Sequence, residues 1–343
     1  MAANPTPRQM VKALLQGIAP PRPLFLPIVF SAGARVESLS LPGLLANPTK
    51  ICNAQRQLRG PLRTDGYSCY FDPFLEMEAL GATVEWGVAD LPPAVRWPQG
   101  AEPGELPDDL RSPEEAVKAG RVPVALDVLR RLKAMVRDDS ILMAGVTGPF
   151  TLAARILQLE TEGAWRTQEI SESAVELAAS VVTRISGAMV EAGANLIMIR
   201  EEVLPPLSQE RCAAWAWALE PAFNIIRFYE ALPVLQLTDG SYFAVNSTEI
   251  FQRSWNCVLC LSLDGIASQP VDVASQWSSA TLGLALPLET FQLDDAALQV
   301  SCESLHRIVA GLRPAILTTA GDVPAGTDMK RMSKVLDQVP RSF

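Results

Sequence analysis

Short apolar runs alternate along the chain with longer amphipathic segments. Eight runs, at residues 24–30, 67–71, 141–146, 195–199, 234–238, 257–262, 280–284 and 315–319, are bounded by polar or turn-forming positions. Runs of this length, apolar at consecutive positions, read as strands buried on both faces. Segments with helical spacing lie at 47–62, 124–136, 149–159, 170–192, 208–231, 246–255 and 293–312, and a last one at 329–338 closes the chain. Asn47 followed by Pro48 marks a helix start, because Asn caps exposed amides and Pro fits the first turn. Eight strands alternating with helices predict a (β/α)8 (TIM) barrel. A doubly wound sheet is the alternative, but the chain shows no glycine-rich phosphate fingerprint.

One stretch breaks the rhythm. Residues 90–121 are Pro-rich, acidic and irregular, with Pro92-Pro93, Trp97-Pro98 and Pro103-Gly104-Glu105-Leu106-Pro107. The strand pattern resumes after it, so it reads as an insertion rather than a linker. Long insertions in such barrels often cover the catalytic end. The 343 residues are therefore expected to form a single barrel domain.

Composition narrows the function. Net charge is −9, which disfavours nucleic-acid binding. No uninterrupted apolar run reaches the roughly 18 residues needed to span a bilayer. The first residues carry no basic region followed by an apolar one, so a cytoplasmic protein with no membrane partner is expected. Six cysteines lie at 52, 69, 212, 257, 260 and 302 without disulfide-framework spacing. The Cys257–Cys260 pair lies in an expected strand, where residues three apart face opposite ways, so a structural role is favoured. The lone histidine, His306, excludes a zinc site built on two or three histidines and disfavours a Ser-His-Asp triad.

In a (β/α)8 barrel, chemistry gathers at the C-terminal strand ends. Those ends carry Arg35 after strand 1, Asp72 and Glu76 after strand 2, and Arg155 beyond strand 3. Arg200, Glu201 and Glu202 follow at strand 4, Gln236 and Asp239 at strand 5, and Asp322 after strand 8. Clustered carboxylates can share protons, so one can titrate near neutrality and act as an acid. Asp72, Glu201 and Glu202 are the candidate catalytic acids. Asp72 stands out because the local sequence offers it no basic partner. Adjacent Glu201 and Glu202 cannot both point inward, so one of them is expected to be structural. Arg35, Arg155 and Arg200 would hold an anionic group, with Glu76, Gln236, Asp239 and Asp322 completing a substrate site.

Several segments resemble the uroporphyrinogen decarboxylase superfamily. They are Thr6–Gly17 with Arg22-Pro23, Asp72 followed by Ala79-Leu80-Gly81, Gly148–Ala153, Glu191–Asn195 and Asp322–Thr327. The resemblance implies a (β/α)8 barrel, commonly a homodimer. One branch of the superfamily decarboxylates uroporphyrinogen without a cofactor. The other moves methyl groups between a corrinoid protein and a substrate or thiol, usually with zinc. The loop Phe30–Arg35 lacks the first arginine of the decarboxylases. The positions matching the zinc ligands look like Gln236, Thr238 and Gly321, so zinc is not expected. Asp72, Glu76 and Glu78 before Ala79-Leu80-Gly81 are in the style of the methyltransferases. The resemblance thus implies a corrinoid-linked methyltransferase acting on a small methylated substrate, such as an anionic methyl ether, with the corrinoid on a partner protein. A cofactor-independent decarboxylase and a non-catalytic binding barrel are the alternatives.

Overall fold

The computed structural model describes residues 5–87, 93–98, 102–136, 139–159, 170–202, 209–238, 257–263 and 281–339. Ten strands are present among them: β1 (Leu24–Phe25), β2 (Gly66–Tyr70), β3 (Thr83–Glu85), β4 (Ala94–Arg96), β5 (Ile141–Thr147), β6 (Leu196–Glu201), β7 (Leu232–Leu237), β8 (Val258–Ser262), β9 (Thr281–Leu286) and β10 (Ile316–Thr319). Eight of them pair in parallel in the order β1-β10-β9-β8-β7-β6-β5-β2. Each matches one of the eight apolar runs. The strands of this sheet are almost wholly buried, which is why they read as continuous apolar runs rather than as alternations.

The sheet curls into a nearly closed barrel, and side chains bridge its seam. The Asp65 amide donates to the Phe25 carbonyl at 2.9 Å, and the Asp65 carboxylate accepts from the Phe25 amide at 2.8 Å. Ser68 Oγ donates to the Pro27 carbonyl and accepts from the Val29 amide. This explains why β1 is shorter than the apolar run at 24–30. Pro27 has no amide to give a ladder, and the amides of Ile28, Val29 and Phe30 go to side chains of Thr319, Ser68 and Asp322.

Helices cover the outside. They are α1 (Pro7–Leu15), α2 (Ala32–Val36), α3 (Leu41–Leu45), α4 (Pro48–Leu62), α5 (Leu75–Leu80), α6 (Pro113–Ala116), α7 (Val122–Met135), α8 (Pro149–Ile156), α9 (Glu172–Ala192), α10 (Gln209–Phe228), α11 (Asp295–Leu312) and α12 (Met329–Asp337). Asn47 caps α4 by accepting from the Lys50 amide. The segment expected as a helix at 246–255 lies outside the described residues. Helix α9 buries Ala174, Ala178, Val181, Ile185 and Met189, a spacing of three and four that lays one face on the barrel. Burying each larger aliphatic side chain contributes about 1.5–3 kcal/mol. By length and composition α9 is also apolar enough to cross a membrane, but 56% of its most apolar stretch lies inside the fold, as in a core helix.

The expectation of an irregular insertion at 90–121 needs correcting. Strands β3 and β4 form an antiparallel hairpin, and Ser112 opens α6 with a capping box. Two short helices, α2 and α3, also follow β1 where the sequence pattern marked nothing. Outside the site, His306 bonds the Gln338 carbonyl at the surface, and Cys260 is packed so closely on Gly283 that a β-carbon there would sit 2.2 Å from its sulfur. Burial pushes the thiols of both Cys257 and Cys260 up, in keeping with inert packing residues.

Candidate active site

The C-terminal end of β6 delivers two glutamates into two environments. Glu201 is the last strand residue and turns into the layer between the barrel and α8. It is fully buried and accepts four hydrogen bonds. They come from the amides of Phe150 (3.1 Å) and Thr151 (2.9 Å), from Thr151 Oγ1 (2.6 Å) and from Trp215 Nε1 on α10 (3.0 Å). The two amides belong to the first turn of α8, so Glu201 caps that helix from a neighbouring strand. Gly148 makes room, since a β-carbon there would lie 2.2 Å from the Glu201 carboxyl carbon. Burial pushes this carboxyl up against the pull of its donors.

Glu202 leaves the strand at the rim. Its Oε2 meets Arg155 Nη2 at 2.6 Å and its Oε1 meets Arg200 Nη2 at 2.9 Å. Burial works to raise this carboxyl, but the Arg200 and Arg155 guanidinium groups outweigh it and hold it below the usual carboxylate range. Both arginines are anchored by neutral acceptors as well. Arg155 donates to the Pro73 carbonyl (2.7 Å) and approaches Thr147 Oγ1 (3.4 Å), while Arg200 Nε donates to Gln236 Oε1 (3.1 Å). Gln236 in turn donates to the Thr319 carbonyl (2.7 Å). A chain of polar contacts thus crosses the mouth of the barrel from α8 to β10.

Glu76 joins this chain from the other side. It is wholly buried, and Thr147 donates to it twice, from the amide at 3.0 Å and from Oγ1 at 2.8 Å. Burial dominates over these donors and pushes its carboxyl up to about 7.

Asp72 has the basic partner that its local sequence lacks, and that expectation is corrected. Arg121 arrives from the end of the insertion and sets Nε 2.8 Å from Asp72 Oδ2. Its Nη2 is also 2.8 Å from that oxygen, placed for charge attraction rather than for a hydrogen bond. Arg121 pairs with Glu78 as well, at 2.9 Å, and its guanidinium lies over the Trp86 ring. Gly120 lets the backbone approach, being at φ +54 with Glu78 only 2.9 Å from where a β-carbon would stand. The Asp72 side chain is fully shielded from solvent.

The remaining candidates take other places. Arg35 is exposed and donates to the Gly326 carbonyl. Asp322 uses both oxygens to hold the amides of Phe30 and Ser31 at 2.8 Å, and burial pushes it up to about 7. Asp239 lies outside the described residues. Arg121 and Trp215 were missed by sequence reasoning, which placed Thr147 and Thr151 after the third barrel strand but gave them no role. The one signal that could have found Arg121 is its place beside a glycine at the end of the acidic insertion.

A zinc ion does not fit the positions at which the resemblance would put its ligands. Gln236 has both ends of its amide engaged, Thr238 Oγ1 donates to the Glu201 carbonyl, and Gly321 has no side chain. Among the described residues no three His, Cys, Asp or Glu side chains gather as a metal cage.

Eight parallel strands with charged side chains collected at their C-terminal ends define a (β/α)8-barrel protein whose site stands where such barrels carry chemistry. A family model described as uroporphyrinogen decarboxylase (URO-D) matches residues 6–232, and the chain belongs to that family. Among curated relatives, it is 27% identical over 134 residues to methylcobamide:CoM methyltransferase MtaA of Methanosarcina barkeri, a match covering 38% of each chain. It is 26% identical over 133 residues to methylated-thiol–coenzyme M methyltransferase of Methanosarcina mazei, covering 38% of this chain and 35% of that one. The matched segment therefore spans under half the length of these relatives. A solved methyltransferase from Methanosarcina mazei shares the fold, with a TM-score of 0.74 at 17% identity over 97% of this chain and 98% of that one.

Proposed function

We propose that the chain is a methyltransferase that takes a methyl group from a small anionic substrate, with the acceptor corrinoid carried by a separate protein. The observation that carries the substrate side is the pair of anchored guanidinium groups, Arg155 and Arg200, at the mouth of the barrel. The methyl-transfer side is supported by the relatives named for that chemistry. The corrinoid supplies the methyl-accepting metal centre. The two arginines orient the substrate's anionic group. Breaking a methyl–oxygen bond leaves an oxygen that needs a proton. Asp72 and Glu202 are tied to arginines and Glu201 is committed to four donors that order the start of α8, so the acid is assigned to Glu76. It holds a proton near neutrality, and once protonated it donates to the Thr147 hydroxyl, 2.8 Å away, reversing the bond in which that hydroxyl donates to the carboxylate and turning the hydroxyl proton outward. The Thr147 proton goes to the leaving oxygen, the Glu76 proton replaces it, and Glu76 ends ionised.

The test supplies free cobalamin in its methyl-accepting state with small methylated anions and follows methylcobalamin by absorbance. Methyl transfer that falls in Glu76→Gln supports the reading. Carbon dioxide release from a carboxylated substrate, without methyl transfer, replaces it with decarboxylation, which the paired arginines and the family description also suit. Saturable anion binding with neither reaction leaves a binding barrel. We also read Trp217 and Phe228, 60% and 77% exposed on α10, as surface for a second copy, so light scattering is expected to give twice the chain mass.

A further inference from the structure

We propose that Arg155 and Arg200 form an oxyanion site that the chain keeps closed with its own Glu202, and that this fixed positive charge stands in place of the metal the family resemblance implies. The inference rests on the reading of this mouth as the substrate site and adds what the site binds: a small oxyanion bearing one negative charge, carboxylate or sulfonate.

Three observations carry it. The first is how the arginines are held. Each keeps its position through a neutral acceptor, the Pro73 carbonyl for Arg155 and the Gln236 amide for Arg200. Removing Glu202 from between them would leave both anchors in place. Two guanidinium groups share one carboxylate, each taking a different oxygen. Asp322 also faces Arg200 electrostatically, but its two oxygens are committed to the Phe30 and Ser31 amides.

The second is the position of Glu202. Its side chain is 29% exposed, against 9% for Arg155 and 14% for Arg200. It is the outermost member of the triad. Its amide is held by Thr151 Oγ1 at 2.8 Å, so the backbone stays while the side chain can turn outward. A carboxylate between two fixed arginines has the charge and the oxygen spacing of an incoming carboxylate, and nearly those of a sulfonate. Displacement exchanges one anion for another with no loss of pairing.

The third is where Arg200 stands. It contacts two of the three positions that would carry zinc ligands. Its Nε bonds Gln236, and a β-carbon on Gly321 would lie 3.5 Å from its Nη2. The donor set there is amide and backbone, which suits a guanidinium and not a zinc ion.

Binding of acetate and of methanesulfonate to the full chain tests the inference by calorimetry at constant ionic strength. Wild type is expected to bind weakly. Glu202→Gln keeps the shape and removes the internal anion, so affinity should rise about tenfold if Glu202 occupies the arginines about nine-tenths of the time. Adding Arg200→Gln to that variant should abolish the gain. Unchanged affinity in Glu202→Gln, or retained binding in the double variant, overturns the proposal. A crystal structure of wild type with methanesulfonate is the second test. The sulfonate should lie between Arg155 and Arg200 with Glu202 turned out. A sulfonate elsewhere, or an unmoved Glu202, overturns it. Acetate preferred over methanesulfonate assigns the site to carboxylates, and the reverse to sulfonates. For the metal, one equivalent of zinc kept through dialysis and lost in Gln236→Ala removes the claim that Arg200 replaces it. Because binding is read without turnover, methyl transfer persisting with unaltered anion binding in Glu202→Gln would remove this inference and leave the proposed function standing.

Discussion

Glu201 accepts four hydrogen bonds in a dry layer between strand and helix, whereas Glu202, one residue on, sits at the rim between two arginines and partly in water. The side-chain period of a strand is two, so neighbours face opposite ways. One glutamate enters the wall and orders the start of α8. The other enters the mouth and meets charge. The wall is over-determined by neutral donors and tolerates no change of shape. The mouth is held by charges that another anion can replace. Identical side chains therefore divide into a part of the scaffold and a part of the site.

The comparison breaks most visibly at the wall. Gly148→Ala drives a methyl group into the Glu201 carboxyl, and Glu201→Ala removes the acceptor of four buried hydrogen bonds. Each is expected to lower stability by about 3 kcal/mol or more in urea denaturation. A loss under about 1 kcal/mol would mean the wall rearranges freely. Glu76 gives the next effect. Its folded-state value of about 7 stands above the ordinary 4.5, so its contribution to stability is full below the ordinary value and is lost as pH rises through 7. Wild type should lose on the order of 3 kcal/mol across that window from this group. Asp322 loses stability in the same direction, so Glu76→Gln should flatten the profile without levelling it. Parallel curves for the two proteins would remove Glu76 as the near-neutral group.

At the mouth, Arg200→Gln should cost about a hundredfold in kcat/KM, read in the methyl-transfer assay, since it removes one of the charges proposed to position the substrate. Its melting temperature should move little. The smallest effect is expected from Glu202→Ala, under about 1 kcal/mol of stability, as for other partly exposed ion pairs. A loss as large as that of Glu201→Ala would put both glutamates in the scaffold and erase the difference between them.

Much of the fold was legible in the chain itself. Apolar runs long enough for a buried strand and too short for a buried helix are a local signal, and all eight became strands of one sheet. The Asn47-Pro48 start of α4 is local too. The short helices α2 and α3 carry little periodicity, and β4, which pairs with β3, hid within Pro-rich sequence.

The site was legible as a list of residues but not as an arrangement. Sequence placed Arg155, Arg200, Glu201, Glu202, Gln236 and Glu76 at strand ends, because topology alone determines which residues follow a strand. Which of them meet depends on parity at each strand end and on chain that returns from afar. Arg121 reaches Asp72 across 49 positions, and no local pattern encodes that contact. Burial likewise belongs to the assembled barrel. Desolvation by residues distant in sequence raises Glu76 to about 7, and two guanidinium groups from separate elements keep Glu202 ionised. The chain thus determined its strands, its family and its stock of charges, through short-range pattern. Tertiary structure alone decided which charge is neutralised, which is walled in and which stands at the mouth of the barrel, because those depend on distances that only folding sets.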